Sequence, residues 1–261
     1  TAFAGSIVPR DRRGRYFAAR KTVMALASLL FVPLAGQLIE VFPEPQGYMI
    51  SFAVSIASGA LALHLFGLIP EPASTEENPD KRSWAFWEAL GDNPMFLRFT
   101  LISMVFSFAW QLGGPYFGVY QVEVLGATPR VIGWLSMGSA LARMAGQQIW
   151  GKAVDRRSSR WAFSMVLLFI PLLPFIWLPL TQPWQLIFVF LPSGFLWAGR
   201  GVANFNLLLE MASEARQTQA IAGYNTLIGL ANIVGPLVGG QVVRTLGYRW
   251  DFVLSGTGRL L

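Results

Sequence analysis

The sequence has no cysteine and a single histidine, His64. Disulfide frameworks, thiol nucleophiles and Cys/His zinc sites are therefore excluded, as is any Ser-His-Asp arrangement not built on that one ring. Charge is scarce too: Asp, Glu, Lys and Arg make up 13% of the 261 residues, against about a quarter in a soluble domain. What the chain has in excess is apolar surface, with hydrophobic residues at 54%. Such a composition calls for a solvent other than water.

Crossing ~30 Å of hydrocarbon takes roughly 20 apolar residues of helix. Seven nearly uncharged runs approach or exceed that length: 22–39, 48–69, 99–122, 131–150, 161–180, 184–209 and 217–243. An eighth opens at Trp250 and stops at Leu261. The expected fold is all-α, a polytopic membrane protein with seven full spans and the start of another. The lipid bilayer is then its first partner. Because the chain starts at Thr1 without a methionine and stops inside the eighth run, it is expected to be a fragment.

The net charge of +6 comes from basic residues in the loops. Loop by loop, Lys and Arg total fourteen on one side (9–21, 70–98, 151–160, 210–217) and four on the other. The positive-inside rule explains this bias and places Arg12, Lys81, Lys152 and Arg216 in the cytosol, with Pro43, Thr128 and Gln182 outside. No nucleic-acid partner is expected. Trp161, Trp177, Trp184 and Trp250 fall at run ends, where an aromatic belt belongs. The charged, proline-containing stretch after Pro70 reads as a linker that ends in a short interfacial helix around Trp84, Phe86 and Trp87. The expected division is 1–69, a cytoplasmic linker 70–94, and 95–261.

A shift of 203 residues superimposes Asp11, Arg13, Ala19 and Pro33-Leu34-Ala35-Gly36 on Glu214, Arg216, Ala222 and Pro236-Leu237-Val238-Gly239. That offset equals six helices plus the linker and relates two runs of equal orientation, the mark of a parallel six-helix repeat. Gly151-Lys-Ala-Val-Asp155-Arg156-Arg-Ser-Ser-Arg160 is similar to the G-x-x-x-D-R-x-x-x-R/K signature of the major facilitator superfamily. Gly235-Pro236-Leu-Val-Gly239-Gly240 resembles that family's Gly-Pro helix motif, with Val32-Pro33-Leu-Ala-Gly36-Gln37 as a degraded counterpart.

The resemblance covers essentially the whole chain, as helices five to eleven and the start of twelve. It implies a major facilitator bundle in which 1–69 ends the first six-helix half and 95–261 forms the second, truncated in its last helix. Residues Gly151, Asp155, Arg156 and Arg160 would then form a cytoplasmic latch. Glycine at 151 permits close helix approach, Asp155 favours the start of the following helix, and the arginines can pair with carboxylates or helix ends. The family often has glycine where this chain has Ser158.

Polar residues inside spans are costly and mark function. Ser193, Trp197, Arg200 and Asn204 share one helical face, as do Ser136, Ser139, Arg143 and Gln147, and Ser103, Ser107, Gln111 and Gly114. These runs resemble helices ten, eight and seven of the family, and seven and ten line its substrate path. Gln111, Arg143, Trp197, Arg200 and Asn204 are therefore candidate ligands for a small-molecule substrate. A guanidinium keeps its charge and suits carboxylate or phosphate, which points to an organic anion. The bland alternative is that each arginine pairs with a carboxylate or helix end.

Glu40, Glu123 and Glu210 sit near run ends, so no mid-span carboxylate offers proton coupling; His64 is the remaining titratable candidate for a coupling proton or ion. Ser51, Ser55 and Ser58 read as a packing seam, and Asn225 and Asn232 as interhelical bonds. The expected protein is a monomeric, cofactor-free, metal-free permease of the plasma membrane, working by alternating access. Two other readings stay open, an efflux pump for neutral or cationic compounds and a transport-inactive sensor. A membrane enzyme is not expected, since paired carboxylates, a His cluster or an activated nucleophile are lacking in the runs.

Overall fold

The computed structural model describes residues 13–68, 91, 93–212 and 217–260. The basic stretch before residue 13, nearly all of the 70–94 linker, and Glu214 and Arg216 of the repeat lie outside the described residues. Among the described residues every regular element is helical. We number them α1 (Arg13–Val41), α2 (Gln46–Gly67), α3 (Pro94–Glu123), α4 (Pro129–Arg156), α5 (Ser159–Ile176), α6 (Pro183–Met211), α7 (Gln217–Leu246) and α8 (Tyr248–Gly258).

Five helices are long and apolar enough to cross a membrane: α2, α3, α5, α6 and the Gln219–Leu246 part of α7. The two other runs fall short for physical reasons. Helix α1 contributes the shorter apolar stretch Leu26–Val41, because its first turns are basic. Helix α4 has 28 residues but carries Arg130, Arg143, Lys152, Asp155 and Arg156. Helix α8, at 11 residues, is the start of the eighth run.

Local chemistry sets the helix ends. Asn93 caps α3, its Oδ1 accepting from the Met95 and Phe96 amides at 3.0 and 3.2 Å, and Pro94 occupies the first turn, where its missing N–H costs nothing. The same Asn93 donates from Nδ2 to the Met211 carbonyl at 3.0 Å, closing the end of α6. In α5 the backbone tightens to 3₁₀ over Ile170–Leu172, where Pro171 and Pro174 interrupt the α-helical ladder.

The chain forms two compact units. One holds α1, α2 and Thr128–Ala140, the first part of α4; the other holds Asp80–Ala127 and Leu141–Leu261. In the first, α1 meets the start of α4 at backbone distance: a Cβ at Gly36 would sit 2.5 Å from the Pro129 carbonyl oxygen, and one at Gly133 would sit 3.1 Å from Pro33 Cα. The Glu40 carboxylate accepts from the Arg130 amide at 3.2 Å and lies 3.8 Å from its guanidinium, a favourable place for an anion at a helix N-terminus.

In the second unit, α3 is the central helix, packed against α7 and α8. The Gly-Pro motif makes the α3–α7 contact. A Cβ at Gly235 would lie 2.7 Å from Gln111 Cβ, and one at Gly239 would fall on the Leu112 carbonyl, so these helices touch backbone to backbone as small residues permit. Tyr116 Oη donates to the Pro236 carbonyl at 2.7 Å across the same seam. One apolar core joins Phe96, Leu208, Ala220, Tyr224 and Leu227. A second joins Phe106, Trp150, Val166, Ile170 and Leu196.

Candidate functional site

Helix α6 places Trp197, Arg200 and Asn204 on one face, and α3 supplies what that face meets. The Arg200 guanidinium lies 4.7 Å from the Phe106 ring centre and 5.3 Å from that of Trp197. Trp110 packs on Trp197 at 4.8 Å between centroids. The cation is thus held by aromatic faces rather than by a carboxylate, and its Nε is buried without a hydrogen-bond partner. Asn204 accepts at Oδ1 from Tyr224 Oη of α7 at 3.2 Å, which ties the C-terminal part of this face to the next helix.

Gln111 lies on α3 one turn beyond Ser107, half-buried, with its Cβ against Gly235. Arg143 is placed differently: it is exposed on α4 and has no hydrogen bond or ion pair among the described residues. Phe106, Trp110, Trp197 and Arg200 are therefore in direct contact, whereas Arg143 stands apart. His64 is exposed on α2.

Residues missed by sequence reasoning lie on α8 and at its C-terminal cap, Arg259. Asp251, Ser255 and Arg259 recur every four residues on one face, and all are buried, at 0%, 0% and 6% exposure. Ser255 donates to the Ala109 carbonyl at 2.6 Å and accepts from Arg259 Nη2 at 2.8 Å. Both carboxylate oxygens of Asp251 and the Nε of Arg259 lack partners. Asp251 is a buried carboxylate that the sequence reading did not consider; it sits in the first turn of α8, so the expectation of no mid-span carboxylate is left as it was. A small hollow between α3 and α7, about 250 Å³ and lined by Met104, Val105, Phe108, Leu230, Ala231 and Val234, is apolar throughout.

The loop after α4 also differs in detail from its sequence reading. A Cβ at Gly151 would meet nothing within 4 Å, so the close approach expected there is not made in this structure. Asp155 is exposed in the last turn of α4, and the cap of α5 is Ser158, whose Oγ accepts from the Trp161 amide at 3.1 Å. The residue that replaces the family's glycine thus does the capping. Arg157 stacks on Trp161 at 4.2 Å, while Arg156 and Arg160 are exposed and without ion pairs among the described residues. Ser159 donates to Glu210 at 2.6 Å, joining this loop to the end of α6.

Several apolar helices of membrane length define an integral membrane protein of the polytopic helical class. The family model described as the Major Facilitator Superfamily matches residues 1–199 and, in a second placement, 99–258. Residues 99–199 lie in both matches, as expected where the two halves of a fold repeat each other. The chain belongs to the Major Facilitator Superfamily and is a membrane transporter of that family. Membership of a family of transporters points against an enzyme. No curated protein matches the chain.

Proposed function

We propose that this protein is a secondary active transporter of the plasma membrane that moves a small organic anion by alternating access. The observation that carries the reading is Arg200. It is a cation within an apolar helix, seated on Phe106 and Trp197, with no carboxylate in ion-pair range among the described residues and an unpartnered Nε. A buried charge without an opposite charge is expensive, and an arriving carboxylate or phosphate removes that cost. The guanidinium fork matches either group in a bidentate way.

Aromatic walls alone would suit a cationic drug, but here the ring faces of Phe106 and Trp197 are already taken by a cation. Asn204 supplies a neutral hydrogen-bonding group one turn along α6, and Gln111 another on α3, against Gly235 of α7. Movement between access states would use the loop 151–160 as the cytoplasmic latch. The contact of Gly36 with Pro129 and of Glu40 with Arg130 would then serve as an external closure within the first unit.

The test is thermal stabilisation of the purified full-length protein by anionic, neutral and cationic compounds, beside an Arg200→Ala variant. A ligand at 100-fold its Kd adds ~2.7 kcal/mol of stability. Stabilisation by anions that disappears in the variant is the expected result. Stabilisation only by neutral or cationic compounds, unchanged in the variant, overturns the anion reading and favours efflux of such compounds. Binding without flux in liposomes would indicate a sensor.

A further inference from the structure

The second unit buries more positive charge than its own residues neutralise. Arg259, one residue past the end of α8, donates to Ser255, whose hydroxyl reaches the Ala109 carbonyl of α3, and Arg200 of α6 stacks on Phe106 one turn away on that same helix. Asp251 is buried two turns before Arg259. Two guanidiniums and one carboxylate leave a net charge of one, inside apolar helices. Neither arginine has a carboxylate at ion-pair distance among the described residues, and each has an Nε that is buried and unpartnered. Like charges gathered in a low-dielectric place repel, and nothing described in the fold offsets that repulsion.

Asp251 is held off from Arg259 by the geometry of its helix. Two turns separate them, and Ser255 in the middle takes the Nη2 hydrogen bond. The carboxylate lies instead against Gly113 of α3, where a Cβ would stand 3.4 Å from Oδ2 and 3.0 Å from Ser255. Its surroundings supply no other cation. Tyr116 faces it from α3 and Arg259 from α8, while Arg244 and Arg249 are exposed.

We propose that Arg259 is a second anion-holding guanidinium acting with Arg200, and that Asp251 is the counter-charge that competes with the substrate for Arg259. This rests on the anion reading of Arg200 and deepens it. Charge balance selects the substrate class: two cations and one resident anion call for a monoanion. The rings of Phe106, Trp110 and Trp197 beside Arg200 favour an apolar or aromatic body. The ligand class is therefore an amphipathic monocarboxylate, for which benzoate is the simplest probe.

The experiment is equilibrium binding of radiolabelled benzoate, succinate and inorganic phosphate to the full-length protein and to Arg200→Gln, Arg259→Gln, Arg259→Lys and Asp251→Asn. Benzoate is expected to bind best to the wild type. Arg259→Gln should raise its Kd about 10-fold or more, with partial recovery in Arg259→Lys. Asp251→Asn should lower that Kd several-fold and improve succinate more than benzoate, because the site then has two uncompensated cations. Tightening by removal of a carboxylate is something a merely structural residue does not produce, and it is read even if Arg259→Gln fails to fold. Should Arg200→Gln abolish benzoate binding while Asp251→Asn leaves it unchanged or weakens it, this inference is overturned and the anion reading stands. Should none of the three probes bind the wild type, or should Arg200→Gln leave their binding intact, both fall together.

Discussion

Helices α2 and α6 are both apolar and of membrane length, yet they treat polar and small residues in opposite ways. None of the apolar window of α2 is buried, and two of its three serines turn inward on their own helix, Ser55 donating to the Ser51 carbonyl at 2.9 Å and Ser58 to the Val54 carbonyl at 2.7 Å, while the Ser51 hydroxyl has no partner. Helix α6 buries one face, from Val189 to Leu208; Asn206 bonds back to the Val202 carbonyl at 2.8 Å, but Asn204 reaches another helix and the Nε of Arg200 finds no partner. A hydroxyl can be satisfied by the backbone one turn back, so its presence in a span says little. A guanidinium cannot be satisfied in that way, so Arg200 depends on what neighbouring helices or a ligand provide.

The largest expected effect separates these helices by their glycines. A Cβ at Gly199 of α6 would come 2.7 Å from the Trp150 ring, whereas one at Gly59 of α2 meets nothing within 4 Å. Gly199→Leu should destabilise the protein by ~3 kcal/mol through overpacking. Gly59→Leu should change stability by less than ~1 kcal/mol, on the stabilising side, since leucine is the better helix former. Thermal unfolding of both variants in one detergent reads the difference. An equal, large loss at Gly59 would mean that another helix covers this face of α2 and would end the contrast.

An intermediate effect is expected at Asn204. Its bond from Tyr224 joins α6 to α7, and interhelical hydrogen bonds in membranes contribute ~0.6 kcal/mol on average, with ~1.7 at most. Asn204→Ala should cost about that much, and Tyr224→Phe the same, with no further loss when they are combined. Additive losses in the double variant, measured as a thermodynamic cycle, would show that the two side chains act separately.

The fold was legible because a membrane span is a long one-dimensional signal, in which apolar length fixes the helix. The family was legible from the Gly151–Arg160 loop and the Gly235–Gly240 motif, and the family match agrees. The glycines of the second motif do touch α3, because their role depends only on size. The site was legible in part. Arg200 and Trp197 stood out as residues at helical spacing on one face. Phe106 and Trp110 did not, because an aromatic inside an apolar run looks like filling until the facing helix is known. Asp251 and Arg259 were hidden by a different cause: span length was the criterion, and α8 has 11 residues. Arg143 stood out by the same spacing, and in the structure it is exposed and meets no ion-pair partner among the described residues.

The smallest expected effect is Ser58→Ala on α2. The Ser58 hydroxyl is exposed and donates at 2.7 Å to Val54, a carbonyl that also belongs to the helical ladder. Removing it leaves no buried group unpaired, and alanine has the higher helix propensity, so the two terms nearly cancel. The change in thermal stability should lie within ~0.5 kcal/mol. The same reasoning applied to α6 gives the opposite answer, because there a polar group is bonded to a second helix and its loss strands a partner. A loss above ~1 kcal/mol for Ser58→Ala would therefore locate a helix contact on that face, and the serines of α2 would have to be read as Asn204 is.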